Sequence, residues 1–215
     1  MNESVTDPKS DPRFRNAVFT APTWKGYVRE YARDLQDALE RVPEAALEQA
    51  SCVITTAVHD GRRIFVAGNG GSAAIADHLC CDWTKGTHAP ELSPLRTHSL
   101  ASNVALLTAI ANDFGYDATF SRQLEMLAGA GDVLLLISSS GNSPNVVAAA
   151  DAARAMGITT IGLTGFSGGV LATRVDVSLH VPYANYGLIE DCHQILMHTF
   201  AQLFARDRES DTLRA

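Results

Sequence analysis

The sequence predicts an α/β protein: a three-layer sandwich with helices on both faces of a doubly wound, five-stranded parallel sheet. Three observations carry this. Short apolar runs alternate with helix-length segments from Arg63 to Arg206. Runs such as RIFVA (63–67) and DVLLLI (132–137) are apolar almost throughout, as in strands buried on both faces. Two of them end in turns rich in glycine and serine, and open α/β sheets bind ligands at the carboxyl ends of their strands. A chain of 215 residues is long enough for one such domain with a full core.

The elements follow in order. Residues 1–22, rich in Ser, Asp, Pro and Asn, read as a mobile arm, 23–206 as a single domain and 207–215 as a tail. Trp24 to His59 carries apolar residues at three- and four-residue spacing, with Pro43 separating two helices. These leading helices hold more apolar positions than one sheet face needs, which predicts helical packing against another subunit. Arg63–Ala67 is a strand and Ala73–Trp83 a helix; Thr97–Leu100 reads as a strand, and Val104–Ala111 and Phe120–Leu127 as helices. Asp132–Ile137 is a strand, Ser143–Met156 an Ala-rich helix and Thr159–Leu163 a strand. Gly168–Thr173 is a short helix, Val175–Val181 a strand and Ile189–Arg206 a long final helix.

The net charge of −7 gives the chain no electrostatic reason to bind nucleic acid. No apolar run reaches the length of a membrane span. Cys52, Cys80, Cys81 and Cys192 form no CxxC pair, and the N-terminus lacks a secretory pattern, so the expectation is a cytoplasmic protein with reduced thiols. A second reading of Cys192, beside Glu190 and His193, is a soft metal ligand.

The chemistry concentrates at two strand ends. Gly68-Asn69-Gly70-Gly71-Ser72 follows the first strand, and Ser138-Ser139-Ser140-Gly141-Asn142-Ser143 follows DVLLLI. Glycines let backbone N–H groups approach an anion, the next helix presents its positive end, and serine hydroxyls add donors. Neither loop carries the lysine of a nucleotide P-loop, and GxGxxG is absent, so no nucleotide cofactor is expected. Alone, GNGGS could be a turn with an N-cap serine; two such loops in one sheet point to a phosphate cradle.

GNGGS, SSSGNS, IANDFGYDATFSRQ and LTGFSGG together resemble the sugar isomerase (SIS) domain family, in its sedoheptulose-7-phosphate isomerase (phosphoheptose isomerase) branch, from about Tyr27 to Phe204. The resemblance implies a homotetramer with active sites shared between subunits, and interconversion of a ketose phosphate and an aldose phosphate. It assigns Asn69, Gly70, Gly71 and Ser72 to one sugar-phosphate loop and Ser138, Ser139, Ser140 and Ser143 to the other. Asn112 and Asp113 match a pair near the sugar. His78 matches a zinc ligand, and His198 a catalytic histidine that also ligates zinc. Asp82 stands where the family has a glutamate acting as base and zinc ligand. Glu190 stands where it has a metal- and substrate-binding glutamine, and Gly187 where an aspartate is frequent. The implied reaction is sedoheptulose 7-phosphate to D-glycero-D-manno-heptose 7-phosphate, or the same change on a similar long-chain sugar. Because the branch includes a non-enzymatic relative that binds a replication initiator, a phosphosugar- or protein-binding regulator is the alternative.

The residues fit proton transfer through an enediol, which needs a base at the acidic C–H and an acid at the neighbouring oxygen. Asp82 and His198 are the expected pair. His78 and Asp82 lie four residues apart on one helix face. Glu190 and His198 are eight apart, about 80° round the last helix. His78, Asp82, Glu190 and His198 would form a tetrahedral set for Zn2+ or another divalent ion, one per subunit. The competing reading of either histidine is a buried or interface hydrogen bond.

Overall fold

A computed structural model describes residues 19–90 and 92–212, with side chains through Glu209. The expected arm at 1–22 and tail at 207–215 therefore lie largely or partly outside the described residues.

Five strands form one parallel sheet in the order β2-β1-β3-β4-β5: β1 Arg63–Gly68, β2 Arg96–Ser99, β3 Val133–Ser138, β4 Thr159–Thr164 and β5 Val177–His180. The chain winds from β1 outward to β2, then returns to lay β3 on the other side of β1. The order therefore reverses between β1 and β3, and the crevice at their carboxyl ends is where such sheets bind ligands.

Seven α-helices complete the described fold: α1 Trp24–Glu40, α2 Glu44–His59, α3 Gly71–Cys81, α4 Val104–Phe114, α5 Thr119–Leu127, α6 Pro144–Ala155 and α7 Tyr186–Thr212. Side chains alternate across the strands, so each strand feeds two cores. Ile64, Val66, Leu135, Ile137 and Ile161 bury against Ile54 and Val58 of α2, Ile75 and Leu79 of α3, and Met197 and Phe200 of α7. On the other face Phe65, Ala67, Leu134 and Leu136 meet Phe120 and Leu124 of α5 and Val146, Ala149 and Ala153 of α6. That two-sided burial is why DVLLLI shows no polar alternation. A smaller cluster, Ala38, Val42, Val181 and Cys192, seats α1 against the α7 region.

Of the boundaries that differ from the sequence expectation, four have a clear structural cause. The helix expected over 73–83 starts at Gly71, ends at Cys81 and continues as one π-helical turn, Asp82–Gly86. Trp83 explains the change: it is fully buried, and its indole N–H donates 3.1 Å to the Met197 carbonyl. The short helix expected over 168–173 shrinks to a 3-10 turn, Leu171–Thr173, because Gly168 and Gly169 both take positive φ. The strand expected over 175–181 forms only at Val177–His180; the Asp176 carboxylate instead accepts from the backbone N–H of Thr160. The final helix continues through Asp207 to Thr212, and the Arg208 guanidinium donates to the carbonyls of Thr87 and Ser93.

The SSSGNS turn is locked from behind by LTGFSGG. Gly165 N–H donates to Ser139 O, Leu171 N–H to Gly141 O, and Val170 N–H to the Asn142 side chain. Gly141 has φ +66°, and a Cβ there would fall 2.0 Å from the carbonyl oxygen of Gly168. Gly141→Ala should therefore cost about 2–4 kcal/mol, from the left-handed backbone and the clash together. Calorimetry should show the melting temperature lowered by roughly 5–15 °C; an unchanged midpoint would refute the backbone argument.

Candidate active site

The two strand-end loops face each other across the crevice between β1 and β3. Asn69, Ser72, Ser138, Ser139, Ser140, Ser143, Tyr186 and Glu190 line a cleft of about 150 Å³ there. Gly70, at φ +56°, turns the chain into α3, and Ser72 is buried in the first turn of that helix. Ser138 Oγ lies 3.4 Å from Ser143 Oγ and accepts from Gly141 N–H, while Ser140 Oγ accepts from Asn142 N–H. Ser139 Oγ is buried with no hydrogen-bond partner in the protein. An orphaned buried hydroxyl is costly unless something else pairs with it. Between the positive ends of α3 and α6, that something is most simply an anion.

Asn145, in the first turn of α6, holds the loops together. Its Nδ2 donates 2.9 Å to Asn69 Oδ1, Asn69 Nδ2 donates 2.8 Å back to Asn145 Oδ1, and Tyr116 OH donates to the same Asn69 oxygen. Asn145 also reaches Thr119 Oγ1 at 3.2 Å and is 1% exposed.

A second group lies further along α3 and α7. His78, Asp82 and His198 offer ligand atoms all within 4.8 Å of one another. Asp82 Oδ2 is 3.5 Å from His78 Nε2 and 3.4 Å from His198 Nε2, and the rings meet edge to face at 5.0 Å between centroids. All three are partly open to solvent. The Gln194 side-chain nitrogen lies 2.9 Å from His78 Nδ1 and 3.3 Å from His198 Nε2. If Gln194 donates to His198 Nε2, a ring lone pair and a carboxylate face one point. A proton or a cation resolves that opposition, so the donor set fits a divalent metal.

Glu190 does not join this group. Its carboxylate lies over the start of α3, where a Cβ on Gly71 would come within 2.8 Å of Glu190 Oε2, and it lines the serine cleft. The reason is axial: Glu190 and His198 share a face of α7 but sit about 12 Å apart along it. Burial raises the Glu190 carboxyl above its usual range, and the Asp191 charge adds to this. Asn112 and Asp113 are exposed at the end of α4, bonded to each other and outside the cleft lining. Tyr116, two residues past that helix, makes the contact to Asn69 instead.

The remaining candidates resolve structurally. Cys192 is fully buried against α1, where burial, with Asp191, pushes its thiol up to about 12, and its sulfur is not among the ligand atoms gathered at His78, Asp82 and His198. His193 is fully buried with Nε2 at 3.3 Å from the Thr164 carbonyl; burial pulls the ring down to about 4, and it stays neutral. Asp132 accepts from the backbone of Gly129 and Arg63, as a turn residue does. Sequence reasoning missed Asn145, Tyr116 and Gln194. Only Asn145 left a signal: an asparagine in the first turn of a helix whose N1 is proline, beside the serine loop.

A parallel sheet with a phosphate-type crevice at its switch point, flanked by a carboxylate–histidine group, is the architecture of a sugar-phosphate isomerase domain. The family model described as SIS domain matches residues 27–165, and the chain belongs to that family. Within it, the similarity is to the phosphoheptose isomerases. The phosphoheptose isomerase of Aliarcobacter butzleri is 41% identical over 171 residues, covering 78% of this chain and 90% of the relative. That of Nitratidesulfovibrio vulgaris is 42% identical over 189 residues, covering 88% and 87%. The solved phosphoheptose isomerase of Neisseria gonorrhoeae superposes with a TM-score of 0.76 at 35% identity, covering 84% of this chain and 95% of that one.

A carboxylate in an anion cleft weakens the anion it faces. Glu190→Gln should tighten inorganic phosphate binding about five- to tenfold at neutral pH. The sign with pH follows from the raised Glu190 carboxyl: the repulsion is absent while Glu190 is protonated and grows as pH rises through its raised pKa. Calorimetric titration should show the variant-to-parent affinity ratio rising with pH; a flat ratio would place Glu190 away from the anion.

Proposed function

We infer that the chain is an aldose–ketose isomerase of long-chain sugar phosphates, with sedoheptulose 7-phosphate as substrate and D-glycero-D-manno-heptose 7-phosphate as product. The observation that carries this is the spacing of two chemistries on one helix. Ser72 opens α3 at the cleft, and His78 follows six residues later, about 9 Å along the helix. The phosphate ester and extended carbon chain of a heptose span about the same length, at about 1.25 Å advance per C–C bond.

Ser72, Ser138, Ser139, Ser140 and Ser143, with Asn69, Gly70 and Gly71, hold the phosphate at the helix N-termini, which fixes the sugar in register. Asp82 then removes a proton from C1 of the ketose, and His198 supplies one to O2, giving the cis-enediol. Return of the proton from Asp82 to C2, with loss of the O1 proton to His198, completes the aldose. No external oxidant or reductant is required, because C1 is oxidised as C2 is reduced. His78, Asp82 and His198 would hold a divalent metal, of which Zn2+ suits the nitrogen and oxygen donors. When bound, that ion supplies Lewis acidity to the oxygen that His198 serves in its absence.

The reading includes a cytoplasmic homotetramer whose sites are completed by neighbouring subunits. Two features support assembly. Trp24 and Val28 on α1 are 88% and 61% exposed. A groove of about 620 Å³ between α2 and α7 is lined by Leu47, Leu196, Phe200 and Leu203. Sedimentation equilibrium should give four times the chain mass, and a monomer would refute it. No described helix is long and apolar enough to cross a membrane.

Purified protein should convert sedoheptulose 7-phosphate to the aldose, and no product from a panel of five- to eight-carbon ketose phosphates would defeat the isomerase reading. Asp82→Asn should lower kcat by about 10²–10⁴-fold while phosphate binding stays within about twofold. Surviving turnover would remove Asp82 as the base.

A further inference from the structure

Gln194 projects from α7 between the two histidines and has no part in the proton transfers described above. Its Nε2 is 2.9 Å from His78 Nδ1, the shorter of its two ring contacts, the other being 3.3 Å to His198 Nε2. The consequence for His78 is specific. A ring whose Nδ1 accepts from Gln194 carries its proton on Nε2, and Nε2 is the atom facing Asp82 at 3.5 Å. The amide thus decides the tautomer of His78, and with it whether a proton or a lone pair faces the Asp82 carboxylate 3.5 Å away.

We propose that Gln194 is the positioning residue of this site, selecting the His78 tautomer and holding its imidazole toward Asp82. The inference rests on the reading of His78, Asp82 and His198 as the acid/base and metal group. Two further observations support it. His78 is about half exposed, and beside its edge-to-face contact with His198 the bond from Gln194 is the hydrogen bond that fixes its Nδ1. Gln194 is itself half-buried on α7. The amide also suits either state of the group. A metal held by His78 Nε2 leaves the proton on Nδ1, and Gln194 meets it by rotating its amide so that Oε1 accepts. Groups that orient a metal-ligating histidine through its other ring nitrogen typically change metal affinity 10- to 100-fold when removed.

The test reads the ring directly. In metal-free, histidine-15N-labelled protein, long-range 15N–1H spectra in mildly alkaline solution should show His78 as a single tautomer protonated at Nε2. Gln194→Leu, close in volume, should convert it to a tautomer average. Gln194→Glu, which can only accept when ionised, should move the proton to Nδ1. A His78 tautomer unchanged in both variants overturns the proposal, and a variant that misfolds is recognised by its melting temperature, leaving the other to decide. Competition against a chromophoric chelator should show Co2+ held 10- to 100-fold more weakly by the Leu variant, with affinity restored in the Glu variant; equal affinity in all three also overturns it. A parent protein that takes up no Co2+ would remove the metal reading alone, because the ring spectrum still decides the role of Gln194.

Discussion

The reciprocal amide pair between Asn69 and Asn145 is the constraint on which the site depends. Asn69 follows β1 and Asn145 follows β3, so this pair spans the point where the strand order reverses. Asn145 is fully buried, and a buried amide that loses its partners carries the whole desolvation penalty. One relative placement of the two loops satisfies both amides together with Tyr116 and Thr119. The cleft therefore comes preorganised, with its serines aimed by the backbone and not by the ligand. Glycine completes the arrangement from below, because Gly141 and Gly168 approach so closely that neither loop could move without the other.

Helix α7 transmits this order to the second group. Glu190, Gln194 and His198 repeat every four residues and so form one stripe. The stripe begins over the anion cleft and ends beside Asp82. Trp83 pins the turn after α3 to the Met197 carbonyl, so the two helices cannot slide past each other without burying an unpaired indole N–H. The anion cleft at one end and the carboxylate–histidine group at the other are held at a set distance by packing.

What could be read in the amino-acid sequence divides along physical lines. DVLLLI, RIFVA and the glycine–serine turns carry their meaning locally: continuous apolarity for a strand covered on both faces, small residues for a close backbone. Both loops, and the i, i+4 relation of His78 and Asp82, were legible for that reason. Glu190 divides the expectation: it lines the cleft, as a substrate-binding residue would, and stands apart from the histidine group, because an angular argument places residues on a face but says nothing about reach along the axis. Asn112 and Asp113 were taken from a resemblance, and the contact to the cleft comes from Tyr116, whose role depends on how α4 ends. Gln194 was invisible because a glutamine on a helix has no periodic signature; only the third dimension sets it between two rings.

The π-helical turn was equally hidden, and it bears on how aspartate can occupy a position where glutamate occurs in the resembling family. An aspartate is one methylene shorter, about 1.5 Å of lost reach. In this chain α3 widens immediately at Asp82, and buried Trp83 draws that segment onto α7. Asp82 itself keeps α-helical dihedrals, with its backbone N–H on the His78 carbonyl, and its carboxylate comes to 3.4 Å from His198 and 3.5 Å from His78. A wider helical turn costs some hydrogen-bond quality, which is why such turns are rare and cluster where geometry serves chemistry.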